Sequence, residues 1–501
     1  MHAAKATSVS TTAQMRRHDR YVLIALVGVA LLRSLALFAT PLELGVDEAQ
    51  YWLWSQNFDF GYYTKPPMTS WIIALTHGLL GHESWAVRIA APWLHLGTGL
   101  MIWQTARWLY GDAAGRWGAV LWMVLPAVSL GSFIMSTDTP LLFFWSAALM
   151  FVVGTLRQKI APTSGMALAG VMIGGGMLAK YAAVYFAVGI VLFWVWQRRH
   201  RRSRPSPDME FGDLSARQIG LLLAGMLLAA SPNLGWNLLH DFATVRHLGD
   251  NANLAKQSFS LAGSAAFLGA QFITAGPLCF ALMLIIIWPR QSTSADRLLI
   301  CLSVPPLALM SLQAFVSEAN ANWALTAMPA LVVWLSGWIT RDGWRWGLLS
   351  AGINGGIALI FLAVSAAADM GPLTPKSDPL RRLKGWSLLA DDVDMALTAS
   401  GARTVITDRR ASAALLNWHF HQRDVTILIN DADGIPSNHF EANYPWTSQP
   451  GRQILMLSGA PDAPALDSVE WMGSPAVSDV VISDKRRRII YLHHGRERPD
   501  I

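Results

Sequence analysis

The chain has 501 residues, of which 53% are hydrophobic and only 14% are charged. Soluble domains carry about 25% charged residues, so this composition excludes an ordinary soluble protein and predicts an integral membrane protein. The formal net charge is +6, but the basic residues cluster in short loops between apolar segments, where membrane topology explains them better than a nucleic-acid partner does. The two cysteines, Cys279 and Cys301, both lie in apolar segments, which argues against a disulfide framework.

The first apolar segment, residues 21–40, follows three arginines at positions 16, 17 and 20. It is long for a signal peptide and lacks a small-x-small cleavage site, so we expect a first transmembrane helix after a cytoplasmic N-terminus, residues 1–20. Further segments have roughly the 20 residues that span a bilayer. They lie near residues 85–107, 116–134, 139–156, 164–179, 182–196, 216–238, 259–288, 297–316, 321–339 and 346–368. The sequence therefore predicts an all-α polytopic membrane domain over residues 21–369, with about eleven transmembrane helices.

Loop charge predicts the orientation of these helices, because Lys and Arg accumulate in short cytoplasmic loops. With the N-terminus in the cytoplasm, every basic loop falls on that side. These loops hold Arg107 and Arg116, Arg157 and Lys159, residues 198–204, Arg290 and Arg297, and Arg341 and Arg345. The opposite side receives residues 41–84, the turns at 136–138 and 180–181, loop 237–258, loop 318–322 and everything after about residue 370. We therefore expect the active site on the extracytoplasmic face.

The first extracytoplasmic loop, residues 41–84, is dense in acidic and aromatic residues. DEAQYWLWSQ and PPMTSWIIALTHGLLG predict two short interfacial helices, the first with Tyr51, Trp52 and Trp54 in contact with lipid headgroups. Asp47 stands just after the first span. From position alone it is either the cap of a helix that begins at Glu48 or a functional carboxylate.

The tail, residues 370–501, has the composition of a separate domain. A linker with Pro372, Pro375 and Pro379 precedes four apolar runs, which predict strands. The runs are TVIT (404–407), VTILI (425–429), QILML (453–457) and RIIYL (488–492), and residues 409–420 predict a helix. We expect a small soluble α/β domain of about 120 residues. Its position in the periplasm follows only from the odd number of spans predicted before it.

A set of motifs occurs in order along the chain. They are V-D-E-A-x-Y-W at 46–52, G-Y-Y-x-K-P-P at 61–67, S-T-D-T-P-L-L-F-F-W at 136–145, G-M-L-A-K-Y at 176–181 and E-A-N-A-N-W at 318–323. Over about residues 20–340 the chain resembles membrane glycosyltransferases of the GT-C fold. It is most similar to the protein O-mannosyltransferase and aminoarabinose-transferase group, which uses polyprenyl-phosphate sugars.

The resemblance implies roles for residues at matching positions. Asp47 matches a catalytic base that takes the proton from the acceptor hydroxyl, and Asp138 matches a second carboxylate that orients the acceptor or the first acid. Lys65 matches a lysine that holds the donor phosphate, and Lys180 another phosphate or sugar contact. Further substrate contacts are assigned to Arg33, Glu48, Tyr63, Tyr181, Arg246, His247, Glu318, Asn320 and Asn322.

Simpler interpretations of several of these residues stay open. Lys65 is otherwise a solvated lysine, and Arg33, within the first span, is either a phosphate contact or a side chain that snorkels to the interface. Arg246 and His247 are otherwise ordinary loop residues. The polar residues of loop 318–322 are otherwise helix caps. A divalent metal at Asp47 and Asp138 is also open, although no His-x-x-His pattern supports it; no other cofactor is expected.

The resemblance implies a glycosyltransferase of the bacterial inner membrane with a periplasmic active site. The donor would be a polyprenyl-phosphate-linked sugar, and the acceptor a lipid-anchored glycan such as lipopolysaccharide core or lipid A. The length and the short tail are most similar to transferases that add galacturonic acid or similar sugars. A protein O-mannosyltransferase that acts on exported proteins is the alternative. A lipid flippase or transporter is a third class, but such proteins place ionisable groups at the bilayer midplane, and here those groups gather at one face.

Overall fold

The computed structural model describes residues 2–201, 211–242, 244, 246, 249, 259–287, 293–367, 380–431, 433–483 and 486–498. The chain forms two compact units. The first comprises Met1–Phe38, Lys65–Thr69 and Arg88–Ala363, and the second comprises Ala39–Thr64, Ser70–Val87 and Val364–Ile501. Most of the loop 41–84 therefore belongs to the same unit as the tail.

The first unit is built from apolar helices. They are His2–Ala39, Ala90–Tyr110, Asp112–Val124, Pro126–Gly131, Asp138–Leu156, Pro162–Ala179, Val184–Arg201, Ala216–Leu239, Leu261–Thr274, Pro277–Ile287, Ser294–Val316, Met328–Trp338 and Trp344–Ala367. Short 3₁₀ turns at Tyr181–Ala183 and Ala321–Ala327 and a π turn at Ile339–Gly343 join some of them. A large cluster of buried aliphatic and aromatic side chains forms the hydrophobic core of this unit, and polar side chains such as Arg33 and Asn233 are buried as well.

Small residues bring two of these helices into close contact. In Pro162–Ala179, a Cβ added at Gly170 would overlap the carbonyl oxygen of Leu222, and one at Gly174 would lie 2.5 Å from that of Met226. Both carbonyls belong to the helix Ala216–Leu239. Close backbone approach through small residues is a usual way to pack helices in a bilayer, where burial of apolar surface gives little gain.

In the described part of the chain, seven helices are long and apolar enough to cross a membrane, or eight if a pair bent by 115° is one span. That pair, Leu261–Thr274 and Pro277–Ile287, corresponds to the expected segment 259–288. The segment 116–134 is divided at Leu125, because Pro126 lacks the N–H that would continue the helix. Residues 321–367 form one continuous helical run where two spans were expected. A multi-pass architecture is confirmed, whereas the number eleven stays a prediction.

The two helices expected in the first loop are present, as Val46–Ser55 and Met68–Leu80. Their aromatic side chains do not have the expected surroundings. Tyr51, Trp52 and Trp54 are 2–4% exposed, and Trp54 stacks on Tyr62 with ring centroids 4.7 Å apart. The expectation that these three side chains contact headgroups is therefore wrong, because the tail domain and the loop itself bury them.

The C-terminal part of the second unit is an α/β domain. Its strands are β1 (Thr404–Thr407), β2 (Thr426–Ile429), β3 (Gln453–Ser458), β4 (Val469–Trp471), β5 (Ala476–Ser483) and β6 (Arg486–Glu497). The order is β2-β1-β3-β6-β4, with β5 also paired to β6; β1 runs parallel to β2 and β3, and the pairs of β6 are antiparallel.

Three helices accompany this sheet. They are Trp386–Ser400, Arg410–His419 and His439–Asn443. The strands predicted at 404–407, 425–429, 453–457 and 488–492 and the helix predicted at 409–420 are confirmed. The helix Trp386–Ser400 and strands β4 and β5 were not predicted. The expected boundary near residue 370, with its three prolines, lies outside the described residues.

Candidate functional site

Asp47 and Glu48 have different environments at the start of the first loop helix. The helix begins at Val46, so Asp47 lies inside its first turn, and the Glu48 carboxylate accepts a hydrogen bond from the N–H of Gly45 at 2.8 Å. Gly45 has no side chain, so Glu48 supplies this half of a capping box. The interpretation of Asp47 as the cap is therefore wrong. The Asp47 side chain is 64% exposed and available for chemistry.

An arginine of the tail domain contacts Asp47. Arg410 donates from Nη2 to Asp47 Oδ1 at 2.5 Å and from Nε to Gln50 Oε1 at 2.7 Å. Gln50 is fully buried, and its amide donates to Thr64 Oγ1 at 3.4 Å. One guanidinium edge thus holds two acceptors on the same helix, which fixes the position of the Asp47 carboxylate.

Sequence reasoning did not find Arg410. Its position carries one signal: it is the first residue of the helix Arg410–His419. A cation at a helix N-terminus opposes the helix dipole, so a partner is needed to offset this. Only the tertiary structure shows that the carboxylate of Asp47 is this partner.

Three residues assigned separately from the sequence come together in the first unit. Lys180 donates to Asp138 Oδ1 at 2.7 Å, and the side-chain amide of Asn322 donates to Asp138 Oδ2, also at 2.7 Å. Asp138 begins the helix Asp138–Leu156, and Lys180 lies in an extended break just after Pro162–Ala179. This cluster places a cation and a carboxylate in a charge-assisted contact, with side chains 20% and 10% exposed.

The capping interpretation of the loop 318–322 does not hold for its asparagines. Asn320 is at the cap position of the turn Ala321–Ala327 but its side chain makes no capping hydrogen bond, while Asn322 binds Asp138 instead. Glu318 is exposed, and its carbonyl oxygen accepts a hydrogen bond from Gln313 at 3.4 Å.

Tyr181 belongs to a second polar cluster, next to Lys180. Its hydroxyl donates to Asn233 Oδ1 at 2.7 Å and accepts from the amide of Asn237 at 3.0 Å. Both asparagines are 2% exposed and lie on the helix that packs closely against Pro162–Ala179. Sequence reasoning missed them, although two asparagines near the C-terminal end of an apolar segment were a usable signal.

Arg33 is buried inside the helical unit. Its guanidinium donates to Met123 O at 2.6 Å, Ser129 Oγ at 2.9 Å and Ser132 Oγ at 3.1 Å. Met123 lies just before the break at Pro126, where helix carbonyls lack their usual N–H partners. Arg33 therefore stabilises a broken helix. Its side chain does not snorkel to an interface, and its role as a donor contact stays a prediction.

For most of the remaining assigned residues the structure gives a position, and their substrate roles stay predictions. Lys65 is partly exposed, three residues before the helix Met68–Leu80. The Tyr63 hydroxyl donates to Pro436 O at 2.8 Å. Arg246 is exposed and donates from Nε to Asp241 O at 2.6 Å, as an ordinary loop residue does. His247 lies outside the described residues.

The donor groups of Asp47 and Asp138 do not fit a metal site. Among the residues that the structure describes, no group of three or more His, Cys, Asp or Glu side chains could hold a metal ion. Both oxygens of Asp138 accept hydrogen bonds from Lys180 and Asn322, and Asp47 accepts one from Arg410. A divalent metal at these carboxylates would have to displace cations.

Comparisons with known proteins agree with the resemblance seen in the motifs. Residues 64–236 match the family described as dolichyl-phosphate-mannose-protein mannosyltransferase. The chain is 32% identical to the lipid A galacturonosyltransferase RgtD of Rhizobium johnstonii, over 87% of this chain and 90% of that protein.

Two further matches have lower identity. An undecaprenyl phosphate-alpha-4-amino-4-deoxy-L-arabinose arabinosyl transferase of Enterobacter sp. is 27% identical over 46% of this chain and 43% of that protein. The crystal structure of ArnT from Cupriavidus metallidurans in the apo state superposes with a TM-score of 0.65 at 14% identity, over 95% of this chain and 98% of that chain. At this identity the superposition shows a shared fold.

Proposed function

Because the chain belongs to the GT-C family of membrane glycosyltransferases that use polyprenyl-phosphate sugars, we propose that it transfers a uronic acid from a polyprenyl-phosphate donor to lipid A or lipopolysaccharide core. The observation that carries the proposal is the match to a lipid A galacturonosyltransferase over nearly the full length of both chains. The arabinosyl transferase match supports the same class of donor. Family membership confirms that the protein is an enzyme, so the hypothesis of a lipid flippase or transporter is rejected.

In this proposal Asp47 accepts the proton of the acceptor hydroxyl as its oxygen attacks the anomeric carbon. Arg410 holds that carboxylate in one orientation, so less reorganisation is needed when the acceptor arrives. Lys65 and Lys180 stabilise the negative charge that the phosphate leaving group gains. Asp138 and Asn322 position Lys180. Since phosphate is already a good leaving group, no general acid is required.

The proposal also states in which membrane the protein lies and how it is oriented there. The protein would lie in the bacterial inner membrane with residues 41–84 and the tail domain, 370–501, in the periplasm. The asymmetry of basic residues between successive loops supports this orientation. Donor and acceptor would then both be lipid-anchored in the same leaflet, where water-soluble nucleotide sugars do not reach.

A transfer assay in membranes tests the function. Wild-type protein is expected to transfer galacturonic acid from its polyprenyl-phosphate donor to lipid A, and Asp47→Asn is expected to lose at least about 100-fold of this rate, the lower range for a general base. Asp59→Asn, which changes a partly exposed carboxylate of the same loop, is the matched control and should retain the rate. Undiminished transfer by Asp47→Asn would remove Asp47 as the base.

The protein O-mannosyltransferase remains the alternative, because the family that matches residues 64–236 carries that description. Sugar analysis of lipopolysaccharide and of exported proteins from cells with and without the gene separates the two. A sugar that disappears from exported proteins while lipopolysaccharide is unchanged would favour the alternative.

A further inference from the structure

A cluster of basic residues lies in the tail domain where two separate segments meet. Arg381 and Arg382 form a 3₁₀ turn that continues to Lys384, and Arg486 and Arg488 begin β6. The two segments are in direct contact, because Arg488 Nη1 donates to Lys384 O at 3.1 Å and to Gly385 O at 2.9 Å. We call these five residues the basic surface.

Contacts of Trp386 with Arg488 and Arg382 hold the two segments of the basic surface together. The Arg488 guanidinium lies 3.7 Å from the ring centroid of Trp386, and the Trp386 indole N–H donates to Arg382 O at 3.0 Å. Arg382 and Arg486 are exposed. The neighbouring Arg487 forms an ion pair with Asp479 at 2.6 Å.

The chain connects this surface to the end of a membrane span. The helix His2–Ala39 ends four residues before Glu43, whose N–H donates to Leu383 O at 3.0 Å and whose carboxylate accepts from the N–H of Trp386 at 2.6 Å. Four residues reach at most about 14 Å. Thr40 also donates to the carbonyl oxygen of Ser365, near the end of the last helix, at 2.6 Å. The turn with Arg381 and Arg382 is therefore held close to the membrane boundary.

We propose that the basic surface docks the tail domain onto anionic phospholipid headgroups of the leaflet that it faces. The headgroup layer extends about 5–8 Å beyond the hydrocarbon core. Glu43, which bonds to the turn of the basic surface, is tethered within about 14 Å of the end of the helix His2–Ala39, a distance comparable with the depth of this layer. Several Lys and Arg side chains next to an apolar span are the usual composition of a site for anionic lipids. Leu388, 53% exposed in the next helical turn, adds apolar area.

The inference rests on membrane insertion and does not depend on which sugar is transferred. Its consequence for the proposed function concerns position, because the basic surface and Arg410 belong to the same α/β domain. Lipid charge would then influence how the tail domain presents Arg410 to Asp47.

Hydrogen–deuterium exchange of the full-length protein in lipid nanodiscs tests the proposal. Amides of residues 380–389 are expected to exchange several-fold more slowly in discs of phosphatidylcholine with phosphatidylglycerol than in phosphatidylcholine alone. The protection should vanish in 1 M salt, where the Debye length is about 3 Å. The variant R381Q/R382Q/R486Q should lose it, since each basic residue contributes about fivefold to such an equilibrium.

Matched controls keep the test specific. R403Q/R423Q removes two exposed arginines of the same domain and should leave the protection intact, and unchanged exchange of β1 in every variant shows that the sheet is folded. Equal exchange in the two lipid mixtures, or protection that appears only when a phosphorylated glycolipid is added, would overturn the proposal. Asp47→Asn should retain the protection while losing transfer, which separates the failure of this inference from failure of the proposed function.

Discussion

At the scale of single residues, the contact of Arg410 with Asp47 and Gln50 is the main addition to the candidate site. A planar guanidinium holds both acceptors at once, whereas the ammonium of a lysine is a point charge and cannot reproduce this geometry. We expect Arg410→Lys and Arg410→Gln both to lower kcat, by about 10- to 100-fold, since small misplacement of a reacting group costs rates of this order.

Steady-state transfer kinetics at saturating donor check this prediction. Arg409→Gln is the matched control, because Arg409 contacts its sequence neighbour Asp408 rather than the first loop, and should leave kcat unchanged. An Arg410→Gln variant with wild-type kcat would show that the ion pair with Asp47 does not matter for the reaction.

The adjacent carboxylates Asp47 and Glu48 show what the sequence alone could not decide. The motif placed Asp47 and Glu48 side by side, and position alone left Asp47 either as the cap of the helix or as a functional carboxylate. The helix starts at Val46, two residues earlier than the expected start at Glu48, so the Glu48 side chain rather than that of Asp47 takes part in the cap. Helix boundaries shift easily by one or two residues, and here such a shift moves Asp47 from the cap position into the first turn.

At the scale of elements, the contact between Pro162–Ala179 and Ala216–Leu239 determines where Lys180 and the buried asparagines lie. A methyl group at Gly170 has no room against the backbone of Leu222. We expect Gly170→Ala to lower the Tm of the detergent-solubilised protein and to reduce transfer, because the helices must separate.

Gly220→Ala, on the facing helix, is the matched control. A Cβ at Gly220 meets nothing within 4 Å, and alanine favours the helix by about 1 kcal/mol over glycine, so its Tm should be unchanged or higher. Equal Tm values for the two variants would contradict the close packing of these helices.

A second element-scale prediction concerns the turn at residues 81–83, which packs against the helix Arg410–His419. His82 stacks on Trp418 with ring centroids 3.7 Å apart, and burial, together with the neighbouring His421 and His77, lowers the pKa of His82 to about 4. Between about pH 6.5 and 4 the unfolded chain therefore binds a proton that the folded chain does not, so stability should fall as the pH drops through this window.

Thermal unfolding between pH 7.5 and 4.5 measures this effect. Replacing the imidazole in His82→Asn removes its titration, so the decline of Tm with falling pH should become shallower. Part of the slope should remain, because burial also lowers the pKa of His439 to about 4. An unchanged slope in His82→Asn would show that other groups cause the pH dependence.

At the scale of the whole molecule, labelling of introduced cysteines tests the proposed periplasmic position of the tail. We expect a cysteine introduced at Ser474, an exposed position in the tail, to react with a membrane-impermeant maleimide in intact spheroplasts. A cysteine at Ser164, exposed in the first turn of the helix Pro162–Ala179 at the end expected to face the cytoplasm, should react only after lysis. The reverse labelling pattern would overturn the orientation and, with it, the periplasmic active site.

The sequence by itself determined the membrane class, the ordered motifs and four of the six described strands of the tail, because hydropathy and alternation are local properties that survive without tertiary contacts. It also predicted both helices of the first loop. Only the tertiary structure decided the partners: Asp47 pairs with an arginine more than 360 residues away in the chain, and Asp138 with Lys180 and Asn322. It also buried the loop aromatics that the sequence assigned to lipid. A side chain's partner depends on which segments the fold brings within hydrogen-bond distance, and no local pattern contains that information.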